Sequence, residues 1–265
     1  MEDIPAGLRL CRASGWNQLD DDWRVFVTFP GSGGFLAEKD GRAVGSVAFL
    51  RYDSFAWIAM MIVDPQERGA GIGTQLMNQA LLALKGAACV GLDATPAGEL
   101  LYRTFDFVND HHMARYKSAV EPGIPFGRAR RIDAADLPDV LRRDRDVFGA
   151  NRGELLASLF QRAPECAWVA HGGYSFGRPG HLYYQLGPIV ADDLDTARTL
   201  VTHCRSALAG RRFAIDAPQR DPEWLAWLRS VGFEEERPFV RMFRRGDKRP
   251  GLPGLQYAIA GPEFG

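Results

Sequence analysis

The chain is 265 residues long, with 32 Lys and Arg against 33 Asp and Glu, a formal net charge of -1 and 46% hydrophobic residues. That length exceeds the roughly 100 to 200 residues of one domain and favours two moderate domains, and the apolar fraction is that of a chain that buries a core. Nothing in this balanced charge suggests a polyanion such as nucleic acid as the main partner, and any anion site has to be local.

The N-terminus, Met1-Glu2-Asp3-Ile4-Pro5, is acidic and lacks the basic region and apolar run of a signal peptide. No later segment reaches the roughly 18 uninterrupted apolar residues of a membrane span, so the expectation is a cytoplasmic protein with no membrane partner. A helix-like start holds Trp16 and Trp23. Phe35 to Lys39 runs into Asp40-Gly41, a two-residue hairpin signal, and Val44 to Tyr52 resumes as a strand. Asp53-Ser54 turns the chain into Trp57 to Val63, an apolar run too continuous for a half-exposed strand and therefore a central one covered on both faces. Asp64-Pro65 ends it. After a glycine-rich run, Leu76, Met77, Ala80, Leu81 and Leu84 recur at helical spacing, which predicts a helix over about Gly73 to Lys85. Cys89 to Ala94 reads as a strand, Ala97 to Phe105 as a short helix and Phe107 to Tyr116 as a final strand. Adjacent His111 and His112 on that strand face opposite ways and form no metal pair. Cys11, Cys89, Cys166 and Cys204 lack the spacing of a zinc site and read as small buried side chains; no metal is expected.

Glu121 to Gly127, rich in proline and glycine, reads as a linker that divides the chain into residues 1–120 and 128–265. The second part repeats the order of the first. Ile215-Asp216-Ala217-Pro218 echoes Leu92-Asp93-Ala94-Thr95, and Leu228 to Phe233 stands where Tyr102 to Phe107 stands. Gly187-Pro188 answers Asp64-Pro65, and a helix over about Asp195 to Leu208 answers the one over Gly73 to Lys85. The expected class is a mixed α/β fold built by tandem duplication.

The chemistry centres on Arg68 to Thr74. A helix N-terminus exposes unpaired N–H groups and a partial positive charge, and glycines 69, 71 and 73 allow the backbone to wrap a phosphate closely, with Arg68 adding a charge-assisted contact. The glycines alone serve equally as a structural strand-to-helix turn. A Rossmann dinucleotide site needs parallel strand-helix repeats rather than an upstream hairpin. With that strand and helix around it, Val63 to Gly73 resembles the coenzyme A signature R/Q-x-x-G-x-G/A of the Gcn5-related N-acetyltransferase family, Arg68, Gly71 and Gly73 occupying its defined positions. The resemblance implies two fused acyl-coenzyme A N-acyltransferase-like domains. It implies that backbone N–H groups of Gly69, Ala70, Gly71, Ile72, Gly73 and Thr74 hold the pyrophosphate, while Ile62 and Val63 pair with the pantetheine arm like an added strand. Leu101 to Phe107 resembles the family's later motif, in which a Tyr often protonates the departing thiolate, and Tyr102 is the match. A phenol of ordinary pKa, about 10, carries the proton for that step at neutral pH, although the same ring also reads as a packed aromatic. Two positions depart from the family: Thr95 stands where many relatives have a cofactor-contacting Asn, and Asp106 replaces a glycine before Phe107.

In the second part, Ala191-Asp192-Asp193-Leu194-Asp195 stands where the glycine loop belongs, and its carboxylates suit a free helix N-terminus while repelling a pyrophosphate. The chain is in this respect similar to tandem acetyltransferase-like proteins with one degenerate half, and its second domain is expected to shape the acceptor pocket or an interface. Asn151, Arg152, Tyr174, Arg178 and Gln185 are candidate acceptor-site residues there, because they punctuate apolar stretches; ordinary surface and turn residues look the same. For a general base the choices are Asp53, Asp93 or water. The resulting expectation is an N-acetyltransferase that moves an acetyl or short acyl group from acetyl-coenzyme A to a primary amine of a small molecule or peptide by direct attack. An acyl-coenzyme A sensor or structural protein without transfer is the alternative.

Overall fold

The computed structural model of the protein describes residues 2–119, 123–246 and 250–265. Two helices, α1 (Ile4–Ala13) and α2 (Asp20–Thr28), precede the hairpin of β1 (Gly33–Lys39) and β2 (Arg42–Arg51). Trp16, expected on a helix, lies in the turn between α1 and α2. Asp40 and Gly41 both take positive φ, 51° and 74°, as a two-residue hairpin turn requires, and so pair Lys39 with Arg42. The first half continues through β3 (Ala56–Val63), α3 (Ile72–Ala83), β4 (Val90–Ala94), α4 (Pro96–Arg103) and β5 (Val108–Ser118). Of the expected linker, Glu121 and Pro122 lie outside the described residues. The second half adds β6 (Ala129–Arg131), α5 (Leu137–Phe148) and α6 (Gly153–Arg162). It then repeats the order as β7 (Trp168–Ala170), β8 (Gly173–Arg178), β9 (Tyr184–Ala191), α7 (Leu194–Ala207), β10 (Phe213–Pro218), α8 (Pro222–Ser230) and β11 (Phe233–Arg244), with β12 (Gln256–Ala258) as an addition.

All strands join one mixed sheet in the order β1-β2-β3-β4-β11-β5-β10-β9-β8-β7-β6, with β12 attached to β9. The two halves therefore exchange their last strands: β11 lies between β4 and β5, and β5 carries the sheet on to β10. Each exchanged strand is held by a buried, two-pronged ion pair. Arg241 of β11 donates Nε to Asp93 Oδ1 and Nη2 to Oδ2, both at 2.9 Å, and Arg115 of β5 does the same to Asp216 at 2.8 and 2.7 Å. Arg115 and Arg241 stand at the same offset after Phe107 and Phe233, so the pairs are a product of the duplication.

One expected equivalence is corrected. Gly187-Pro188 does not end its strand as Asp64-Pro65 does; it lies inside β9, where the pairing to β8 slips between Ser175 and Gly177. Its counterpart is Met60-Met61, where β3 slips against β2 between Ser46 and Ala48. Proline has no ladder N–H to give, and a bulge is where a strand tolerates that. The departure at Asp106 also has a local reason: it adopts φ 62°, the conformation Gly232 takes (φ 83°) at the equivalent turn, and aspartate enters the left-handed region more readily than most residues. The core forms on both sides of β3 and β4, with Leu76, Met77 and Ala80 of α3 on one face and Leu10 and Phe26 of the first helices on the other. All four cysteines are buried and form no disulfide among the described residues, where also no helix is long and apolar enough to cross a membrane.

Candidate active site

The site begins with a split in the sheet. β3 and β4 run parallel but pair only at Ala56 with Val90 and Trp57 with Gly91. Beyond that point the bulge at Met60 (φ 51°), whose carbonyl accepts from Ser46 Oγ at 2.8 Å, turns β3 away. Among the described residues the edge of β3 facing β4 has no ladder partner from Ile58 to Val63, and an extended ligand arm can pair with it as an added strand.

An outer cleft opens where β3 gives way to α3. Gly69 and Gly71 take φ of 82° and 78°, and a side chain at either would meet no heavy atom within 4 Å, so the glycines supply conformation and leave open space. Gly71 is the N-cap of α3 and no side chain caps the helix, which leaves its first-turn N–H groups available to an anion. Arg68, exposed beside them, donates Nε to Val63 O at 3.3 Å. Two ion pairs brace the approach, Arg42 to Asp64 and Lys39 to Glu67, both at 2.9 Å. Ile62, Val63, Arg68, Gly69, Gly71, Ile72, Gly73, Thr74 and Thr95 all line this cleft; Ala70 lies exposed in the same loop but not in the lining. Thr95 caps α4, its hydroxyl accepting from Gly98 N at 3.3 Å.

Tyr102 stands between this cleft and a second, inner pocket and lines both. Gly98, one turn earlier on α4, makes room for its ring, since a β-carbon there would lie 2.9 Å from it. Burial pushes the phenol above its usual pKa, so it stays protonated and able to donate.

The inner pocket shares Trp16, Met61, Thr95 and Tyr102 with the outer cleft and is walled by groups from widely separated parts of the chain. Gln18 comes from the turn before α2, Asp93 from β4, Arg115 from β5, Arg237 and Phe239 from β11, and Pro262 and Glu263 from the C-terminal tail. Asp93 is committed to Arg241; burial raises its carboxyl pKa and Arg241 opposes the rise. Arg178 and Gln185 lie behind the wall. Arg178 bridges Asp22 and Glu263, and Gln185 donates to Asp216 at 3.0 Å. Asp53, Asn151, Arg152 and Tyr174 line neither cleft. Asp53 accepts from Asn151 N at 2.8 Å and pairs with Arg145, while Arg152 and Tyr174 both bond Asp144 at the foot of α5. The sequence reading omitted Trp16, Gln18, Arg115, Arg237 and Glu263; only the equal offsets of Arg115 and Arg241 within the repeat carried a signal.

The second half has the same split between β9 and β10, and the chain fills it. β12 pairs with β9 at Val190 and Ile189, Ile259 N donates to Asp216 O at 3.1 Å, and Trp224 Nε1 donates to Tyr257 O at 3.0 Å. At the start of α7, Asp193 accepts from Thr196 N at 2.7 Å, a bond that lowers its carboxyl pKa and occupies the helix terminus.

Two sequence profiles, each described as an acetyltransferase (GNAT) domain, match residues 30–109 and 140–258. The chain is a tandem member of the Gcn5-related N-acetyltransferase family. It is an acyltransferase, and members of this fold use acetyl-coenzyme A. Holothin acyltransferase of a Pseudoalteromonas strain is 27% identical to it over 96% of this chain and 88% of its own length. Among solved structures, a Pyrococcus horikoshii protein assigned as an acetyltransferase superposes with a TM-score of 0.84 at 22% identity, covering 100% of this chain and 93% of the other. A tandem GNAT protein from the clavulanic acid biosynthesis pathway gives 0.63 at 14% identity over 94% and 96%. In this acyltransferase the duplicated frame is open in the first half and closed by the chain itself in the second.

Proposed function

We propose that residues 1–120 bind acetyl-coenzyme A and that residues 128–265 complete the acceptor pocket, so that an acetyl or short acyl group passes to a primary amine. The observation that carries this reading is the meeting of the outer cleft and the inner pocket at Tyr102. In it, Arg68 and the backbone of Gly69 to Thr74 hold the pyrophosphate, Ile62 and Val63 receive the pantetheine arm, and the thioester comes to rest beside Tyr102. The amine in the inner pocket attacks the carbonyl carbon directly, the carbon–sulfur bond breaks, and the Tyr102 hydroxyl gives its proton to the sulfur. Holding both substrates in adjoining clefts supplies much of the rate through orientation.

The test is thiol release from acetyl-coenzyme A across a panel of primary amines. Amine-dependent release is expected; binding of acetyl-coenzyme A without it would assign the protein to ligand sensing instead. Tyr102→Phe removes only the hydroxyl, and its expected effect is a fall in kcat on the order of 10²-fold with acetyl-coenzyme A affinity within about threefold of the parent, measured by steady-state kinetics and calorimetry. Unchanged kcat would return Tyr102 to the role of a packed aromatic.

A further inference from the structure

The inner pocket holds groups that the rest of the protein leaves unpaired. Two of its four charged side chains have full partners: Asp93 in Arg241 and Arg115 in Asp216. Glu263 is different. It is 3% exposed, and only its Oε1 is engaged, by Arg178; Oε2 is buried with no hydrogen-bond partner among the described residues. Gln18, 5% exposed on the same lining, likewise has a buried Oε1 with no partner. A buried acceptor without a donor is destabilising, and such a group in a folded protein calls for an explanation, of which a ligand that supplies the donor is one. Opposite in sign, Arg237 lines the same pocket and its guanidinium makes no ion pair or hydrogen bond among the described residues; burial, with the Arg115 cation beside it, pushes its pKa down. A partly desolvated cation in that state is relieved by an anion.

Glu263 is placed by construction rather than by chance. Arg178 joins it to Asp22, and Asp22 also takes Arg162 at 2.8 Å, so the carboxylate ends a buried chain that ties the C-terminal tail to α2, β8 and α6. Gly261 (φ 138°) is the other requirement: a β-carbon there would lie 2.8 Å from Glu263 Oε2 and 3.0 Å from Arg178 Nη2.

We propose, resting on the acyl-transfer reading above, that the acceptor is a zwitterionic amine of the amino acid type, its ammonium received by Glu263 and Gln18 and its anionic group by Arg237, and that Glu263 is the base. The protons balance in two steps. Glu263 Oε2 takes one proton from the ammonium and releases it to solvent, freeing the nitrogen lone pair. The nitrogen attacks the thioester carbonyl, and as the carbon–sulfur bond breaks, Tyr102 protonates the sulfur and regains a proton from the nitrogen, leaving the amide and the free thiol.

The experiment uses the full chain, acetyl-coenzyme A and amines in matched pairs that differ by a carboxylate: glycine and methylamine, γ-aminobutyrate and n-propylamine, lysine and cadaverine. Expected is at least a tenfold higher kcat/KM for the carboxylate-bearing member of the productive pair, a ratio that Arg237→Gln brings near one. Glu263→Gln, which keeps the size of the side chain and a partner for Arg178, is expected to lower kcat by about 10²-fold or more while calorimetric affinity for acetyl-coenzyme A is retained. Equal rates within every pair or wild-type kcat in Glu263→Gln would each overturn the proposal, whereas acetyl-coenzyme A binding with no turnover of any amine in the panel would overturn the acyl-transfer reading itself. Failure to bind acetyl-coenzyme A at all would also overturn that reading.

Discussion

Gly71→Glu is expected to weaken acetyl-coenzyme A binding by 10²-fold or more, while Asp193→Ala leaves it within about twofold. The two positions open the equivalent helices α3 and α7, and only the first is free of a capping side chain. At Gly71 a substitution acts in two ways that can be separated. Its φ of 78° strains any residue with a β-carbon by about 1 to 2 kcal/mol, yet nothing lies within 4 Å to clash with one. Gly71→Ala therefore reports strain alone. Glutamate adds a negative charge beside a bound pyrophosphate, and a like pair about 4 to 5 Å apart costs about 3 to 4 kcal/mol at an effective dielectric of 20, hence the 10²-fold or greater loss. Asp193→Ala removes the bond to Thr196 N and is expected to cost roughly 1 kcal/mol of stability, seen in thermal melting and not in the binding isotherm. Calorimetric losses of equal size at both positions would sink the one-site arrangement.

The open frame was legible because its signals are local. Arg68 to Thr74 announces its backbone through glycines, Asp40-Gly41 announces its turn, and the apolar run from Trp57 to Val63 announces a covered strand. The acidic start of α7 was legible for the same reason, as Asp193 sits at the cap its sequence position suggests. What escaped was non-local. Nothing in the sequence around Phe233 says that β11 inserts between β4 and β5, and nothing around Gln256 says that β12 fills a split in the sheet, because strand pairing is a relation between distant segments. The inner-pocket residues went unread on the same ground: Gln18 and Glu263 stand at opposite ends of the chain and meet only in the fold. Arg152 and Tyr174, which punctuate apolar stretches as a ligand site would, spend their polarity on Asp144 instead.

Arg241→Leu is expected to destabilise the protein by about 3 to 5 kcal/mol, roughly 10 °C or more in melting temperature, although the residue stands on no loop and in neither cleft. The cause is the partner left behind. Asp93 has a side chain with no exposed surface, and Arg241 supplies both of its hydrogen bonds while lying 4.7 Å over the Trp57 ring. Without the guanidinium, burial alone governs Asp93, and a neutral, protonated carboxyl becomes its cheaper form. The sign of the pH dependence follows. A folded-state pKa raised above the unfolded value of about 3.9 means that the folded protein binds more protons, so stability is fully present below that value and is lost as pH rises toward the raised pKa. The deficit of Arg241→Leu against the parent is therefore expected to be smaller at pH 5 than at pH 8 in urea unfolding. Adding Asp93→Leu should recover most of the loss, because two apolar side chains leave no charge to desolvate. A single Arg241→Leu change that melts with the parent, or a double variant no more stable than the single one, would show that the exchanged strand is held by its backbone ladder and not by this pair.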